Sequence, residues 1–158
     1  QAGLLVGFKL MGLNCRLYGI TVSRTRDECI AYIKQLINET EDVLGLESRV
    51  KNDEIFVFDE YIGEGYSVPT SEGIDAIRLV AQTEGIFLDP IYTGKAMAGL
   101  TDLVKKDLIG SDNTVIFLHT GGSPSIFSNS TIISNSNNLT DSVIDKSTSS
   151  QLNSMNIK

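Results

Sequence analysis

Between residues 1 and 122 the hydrophobic pattern alternates between two periods, and that alternation constrains the fold more than any other feature. Residues 1–11 (QAGLLVGFKLM) set Leu4, Leu5, Phe8 and Met11 at helical spacing, and residues 16–23 (RLYGITVS) form a β-branched-rich extended run. Thr25 or Asp27 can cap the next helix, whose stripe of Cys29, Ile30, Ile33, Ile37, Val43 and Leu44 runs to Gly45. Residues 54–58 (EIFVF) give a second strand, and a loop with Gly and Tyr follows over residues 59–69. Thr70 or Ser71 then caps a helix with Ile74, Ile77, Val80 and Ala81 on one side, closed by Gly85. A short extended piece, 86–89, leads through Pro90 to a helix that Thr93 can cap and that continues to about Leu108. Residues 114–118 (TVIFL) are almost wholly apolar, which is the pattern of a parallel strand covered on both faces. Strands alternating with helices in this way predict an α/β fold with an open, mostly parallel sheet.

Composition removes several function classes. The net charge of -7 argues against a phosphate-backbone partner, because nucleic-acid binding depends on clustered Lys and Arg, and only Lys105 and Lys106 are adjacent here. That pair reads as a solvated helix end. Two cysteines, Cys15 and Cys29, are too far apart for a CxxC half-site, and His119 is the only histidine, so a metal centre is not expected. Both cysteines sit where buried, reduced thiols would, which together with the lack of a membrane-length apolar run predicts a cytoplasmic protein. Length predicts one domain, and the change of composition bounds it to residues 1–127. From Ser123 to Lys158 more than half the residues are Ser, Thr or Asn, so residues 128–158 are expected to be a disordered tail, with residues 139–144 as the one stretch that could be helical.

Three segments carry candidate chemistry. HTGG, from His119 to Gly122, closes the last apolar run, and ligands of parallel α/β sheets collect at such carboxyl ends. A plain strand followed by a Gly-Gly turn would read the same. DPIYTGKAMAGL, residues 89–100, holds Tyr92 at a strand-to-helix junction among small residues that permit close approach, although a buried structural tyrosine fits equally well. GEGYSVPTSEG, residues 63–73, presents Tyr66 on an irregular loop. Lys95, inside the helical stretch, reads as a surface residue.

Taken in order, QAGLLVGFKL, GITVSRT, the block GEGYSVPTSEGIDAIRLVAQTEGIFLDPIYTGKAMAGL and VIFLHTGGSPSIF resemble the C-terminal half of the D-cysteine desulfhydrase and 1-aminocyclopropane-1-carboxylate deaminase family. That family lies within the tryptophan-synthase-β-like, fold type II pyridoxal-phosphate enzymes. The resemblance covers nearly everything from Gln1 to Phe127. It implies part of the large domain of such an enzyme, with pyridoxal 5'-phosphate as cofactor, a small amino-acid substrate and a homodimeric parent.

The resemblance assigns Tyr66 and Tyr92 to the substrate and cofactor face for stacking and proton transfer. Thr120 is implied to hydrogen-bond the pyridine nitrogen, where a hydroxyl, unlike an aspartate, does not favour a protonated ring. Gly121 adjoins it, and Gln1, Ala2 and Gly3 match the end of the phosphate loop and the start of its helix. The deaminases carry Glu after the tyrosine that matches Tyr92, whereas the desulfhydrases carry Thr, as here at Thr93. The implied activity is β-elimination from D-cysteine to pyruvate, sulfide and ammonia, with the deaminase or a non-catalytic remnant as alternatives. The family's cofactor-anchoring lysine, its Ser-Asn pair and most of its phosphate loop match positions upstream of Gln1, so the chain is expected to be a fragment, inactive alone.

Overall fold

A computed structural model describes residues 1–47 and 50–128. The chain divides into two compact units, Gln1–Ile62 and Gly63–Lys158. The predicted tail from residue 129 and its possible helix lie outside the described residues.

The first unit is a βαβ arrangement preceded by a helix. Helix α1 (Ala2–Leu10) leads to strand β1 (Tyr18–Ile20), helix α2 (Arg26–Leu44), a 3-10 turn (Asn52–Glu54) and strand β2 (Phe56–Phe58). The strands pair in parallel, with Tyr18 opposite Phe56, Gly19 opposite Val57 and Ile20 opposite Phe58. The Thr21 amide extends the ladder by donating to the Phe58 carbonyl at 3.0 Å. A parallel pair requires a crossover, and α2 supplies it. Thr25 starts α2 with a complete capping box: its hydroxyl accepts from the Glu28 amide while the Glu28 carboxylate accepts from the Thr25 amide. Gly45 ends it in the left-handed conformation at φ 64°, where a side chain would be strained.

The core of this unit joins Ala2, Leu5 and Val6 of α1 to Ile33 and Ile37 of α2 and to Ile55 and Val57 beside and within β2. Two details differ from the sequence reading. Helix α1 buries the Ala2, Leu5 and Val6 stripe, leaving Leu4 and Met11 exposed. Because α1 is apolar on almost every side, spacing alone does not select its inner face. In α2 the buried stripe ends at Ile37, and Val43 is exposed, with Glu41 buried instead. Cys15, expected inside, is exposed, and Cys29 is half-buried. Cys15 falls in the irregular connection before β1, where no packed face exists to receive it.

In the second unit α3 (Ser71–Glu84) packs on α4 (Thr93–Lys105). The Thr70 hydroxyl accepts from the Gly73 amide at 3.1 Å to start α3, and Gly85 at φ 67° ends it. The buried face of α3 is Gly73, Ala76, Ile77 and Val80. A Cβ added at Gly94 would come within 2.9 Å of the Ile77 side chain and 2.6 Å of the Asp89 carbonyl, so the approach of the two helices there depends on glycine. A short helix α5 (Ser125–Ser128) follows the Gly-Gly turn.

The expected buried strand over residues 114–118 is not formed. Val115 makes an isolated bridge, and Ile116 and Leu118 are exposed. An apolar run specifies a preference for burial, but a strand exists only where a neighbour presents its own N–H and C=O groups. Among the described residues of this unit no strand does so.

The capping box gives a quantitative test. Thr25→Ala should lower stability by about 1 kcal/mol in urea unfolding, whereas Val43→Ala on the same helix should change it by less than about 0.5 kcal/mol.

Candidate active site

The centre of the second unit's chemistry is an elbow between residues 89 and 93. Asp89 is fully buried, and its carboxylate accepts from the Ile91, Tyr92 and Thr93 amides, each at 2.8 Å. The Thr93 hydroxyl donates to the same carboxylate at 2.6 Å and accepts from the Asp89 amide at 2.8 Å. The helix start is therefore capped by Asp89, not by Thr93, which is itself the first helical residue. Burial alone would raise the Asp89 carboxyl, but the hydrogen bonds from Thr93 and from the Tyr92 and Ile91 amides outweigh it and hold the group below its ordinary value. Thr93 is 1% exposed and its hydroxyl is committed to this elbow.

The elbow fixes the backbone of Tyr92, whose ring points outward. Tyr92 and Tyr66 are both exposed, and their hydroxyls are hydrogen-bonded to each other. Their rings meet edge-on with centroids 6.1 Å apart. The bond to Tyr66, with lesser contributions from burial and from the nearby Tyr66 and Asp89 charges, raises the Tyr92 phenol above its ordinary value. The sequence-predicted tyrosines, 26 residues apart, are brought together.

The HTGG segment is held by its histidine. His119 Nε2 lies 3.0 Å from the Phe87 carbonyl, and the Gly121 amide donates to His119 Nδ1 at 3.1 Å. With Nδ1 accepting from Gly121, Nε2 is the nitrogen that donates to the Phe87 carbonyl. The Ser123 hydroxyl donates to the same Phe87 carbonyl at 3.2 Å. Gly121 and Gly122 take φ of 101° and 89°, and a Cβ on Gly122 would stand 2.7 Å from the Asp89 side chain. The turn is thereby laid against the elbow. Thr120 is exposed, and its hydroxyl has no hydrogen-bond partner among the described residues.

Of the three residues at the chain's start, Gln1 has its side-chain amide committed to the Phe56 carbonyl at 2.9 Å, across Gly19. Ala2 is buried in the core of the first unit. Gly3 is exposed with open space where a Cβ would stand, and the first turn of α1 has neither a side-chain cap nor an acidic residue. Its amides form an uncapped positive helix end.

Lys95 departs from expectation. It is fully buried, and its ammonium donates to the Gly65 carbonyl at 3.2 Å. Burial pulls it below the ordinary lysine value. The surface reading failed because α4 is buried almost all round in its first two turns, from Thr93 to Leu100. The small residues around Lys95 were the available signal, since TGKAMAG packs closely on every side. Asp89 was the other missed residue. An acidic side chain four positions before a helical Thr, with Pro between, is the spacing of a carboxylate that caps a helix from outside.

Comparison with known proteins decides the family. The profile of the family described as "Pyridoxal-phosphate dependent enzyme" matches residues 1–121. The chain belongs to this family. Among curated relatives, a 1-aminocyclopropane-1-carboxylate deaminase of Bradyrhizobium sp. (strain BTAi1) is 39% identical over 126 residues, 80% of this chain and 37% of the relative. A D-cysteine desulfhydrase of Klebsiella pneumoniae subsp. pneumoniae is 39% identical over 127 residues, again 80% of this chain and 38% of the relative. A crystal structure described as an ACC deaminase homologue superposes with a TM-score of 0.73 at 35% identity, covering 84% of this chain and 39% of that one. The chain thus spans little more than a third of the length of these relatives. Its fold is α/β, that of a fold type II pyridoxal-phosphate enzyme, and pyridoxal phosphate is the family's cofactor.

The residues present suit that cofactor on two counts. In the first unit, taken by itself, the first turn of α1 at Gly3 offers amides of the kind that bind phosphate; in the second, taken by itself, Thr120 offers an uncommitted hydroxyl of the kind that meets a ring nitrogen. No helix of the described residues is long and apolar enough to cross a membrane.

Asp89 provides the pH test. A carboxyl held low in the folded state contributes stability that is full above its unfolded value of about 3.9 and is lost as the pH falls through the folded value. Wild type should therefore lose stability on acidification below about pH 4 more steeply than Asp89→Asn, compared by thermal unfolding from pH 7 to pH 2. At pH 7, Asp89→Ala should cost more than Thr93→Ala, since each buried donor left unpaired costs about 1–3 kcal/mol.

Proposed function

We propose that these residues form the tyrosine-bearing wall of a lyase that converts D-cysteine and water to pyruvate, hydrogen sulfide and ammonia. The observation that carries this reading is the commitment of Thr93 to Asp89. A threonine can donate into that carboxylate, whereas a glutamate at the same position would bring a second negative charge beside it and would be driven out towards the ligand side. With Thr93 in place the wall next to Tyr92 carries no such carboxylate, which is the desulfhydrase pattern and not the deaminase one.

Pyridoxal phosphate, when bound, supplies the electron sink that lets the amino acid lose its α-proton and expel its β-substituent. In this reading the α1 start at Gln1, Ala2 and Gly3 receives the phosphate through its backbone amides. Thr120 meets the ring nitrogen with a neutral hydroxyl, and Gly121 lets the flat ring approach the backbone. Tyr66 and Tyr92 share one hydrogen bond between their hydroxyls, which leaves a hydroxyl hydrogen of the pair to be directed onward to the substrate. The pair can pass a proton to a departing thiolate without exposing a charged side chain to it. Free Cys15 and Cys29 suit a reducing cytoplasm, and the complete protein is read as a homodimer.

The equal 39% identity to a deaminase and a desulfhydrase keeps the deaminase as the second reading. The complete protein that contains this chain should release sulfide and pyruvate from D-cysteine faster than it releases ammonia from 1-aminocyclopropane-1-carboxylate. The opposite preference overturns the assignment. Tyr92→Phe and Tyr66→Phe should each lower kcat for sulfide release by roughly 10²- to 10⁴-fold, the usual effect of removing a proton donor. Thr93→Glu should move the preference towards the cyclopropane substrate.

A further inference from the structure

A lysine is a poor choice for the place that Lys95 occupies. It is the third residue of α4, close to the positive end of that helix, where a cation is disfavoured, and it has no solvent exposure. Its ammonium must therefore be held there by what it touches. The Gly65 carbonyl to which it donates also accepts from the Val68 amide at 3.4 Å, which closes a turn over residues 65–68. Tyr66 is the second residue of that turn. Ser67, the third, stands at φ 64°, in the left-handed region that disfavours any residue with a side chain, and Gly63 and Gly65 take φ of 69° and 154°. Such a turn keeps one conformation only when its surroundings over-determine it. The first turn of α4 provides two grips: Tyr92, at the cap, holds the phenol of Tyr66, and Lys95, three residues on, holds the backbone just before it.

We infer that Lys95 is a positioning residue, whose buried ammonium fastens the strained turn at the Gly65 carbonyl so that the Tyr66 hydroxyl is delivered to that of Tyr92. Burial lowers the affinity of Lys95 for its proton, and a contact that opposes this is the bond to the Gly65 carbonyl. A neutral side chain of the same length, such as methionine, would fill the space without gripping the carbonyl. The consequence for turnover rests on the proposed role of the tyrosine pair. The tie itself does not, and it can be read without substrate or cofactor.

Two nuclear magnetic resonance measurements on the labelled 158-residue chain test it. In the unaltered protein, the Lys95 ammonium should give a signal protected from solvent exchange, with a scalar coupling from its 15Nζ to the Gly65 13C carbonyl. Absence of that coupling overturns the inference. In Lys95→Met, the Tyr92 13Cζ titration, which lies above the ordinary midpoint of about 10 in wild type, should move down towards it because the partner hydroxyl is no longer held in place. A folded Lys95→Met protein with the wild-type Tyr92 titration also overturns it, and if that variant does not fold, the coupling in the unaltered protein decides alone. In the complete protein, Lys95→Met should lower kcat for sulfide release by about the same factor as Tyr66→Phe, within the roughly 10²- to 10⁴-fold range, while KM changes little. Should Tyr66→Phe leave turnover intact while the coupling is present, the tyrosine reading fails and the positioning role of Lys95 stands.

Discussion

One buried carboxylate organises the second unit. Asp89 gathers three successive amides and one hydroxyl, so the chain turns sharply at Pro90 and enters α4 with Tyr92 aimed outward. A carboxylate buried alone would be costly, and it is the completeness of its hydrogen bonding that makes the site tenable. Everything placed near the tyrosines refers back to it. Gly94 leaves room for the Asp89 carbonyl, Gly122 lies against its side chain, and Thr93 is locked by it. The same group that shapes the backbone also engages the side chain at position 93.

Charge is handled sparingly around the tyrosine pair. The two phenols bond to each other, both ring nitrogens of His119 face backbone groups, and the buried Lys95 ammonium is directed to a backbone carbonyl. The paired phenols offer hydrogen bonds at an exposed surface. Such a surface suits a reaction whose electrons are managed by a cofactor and whose protein contribution is orientation and proton delivery.

The sequence made the element order legible to a large degree. Helices α1 to α4 and both paired strands fall where periodicity placed them, and Thr25, Thr70, Gly45 and Gly85 bound their helices as their types imply. Local rules suffice for these because each cap acts within a few residues of itself. The failures share a different cause. The inner face of α1, the exposure of Cys15, the burial of Lys95 and the unformed strand at 114–118 all depend on what packs from elsewhere, which periodicity cannot name. For the site, ordered motifs brought out both tyrosines and Thr120. The Asp89 elbow was hidden because a lone Asp before Pro also fits an ordinary turn.

The elbow and the tyrosine contact differ greatly in the length of chain they close. Every bond to the Asp89 carboxylate spans four residues or fewer, whereas Tyr66 and Tyr92 are separated by 26. Closing the short loops costs little entropy, and contacts of that span form early when a chain folds. The bend that aims Tyr92 therefore needs no long loop to be closed, whereas the contact with Tyr66 carries the entropy of a 26-residue closure.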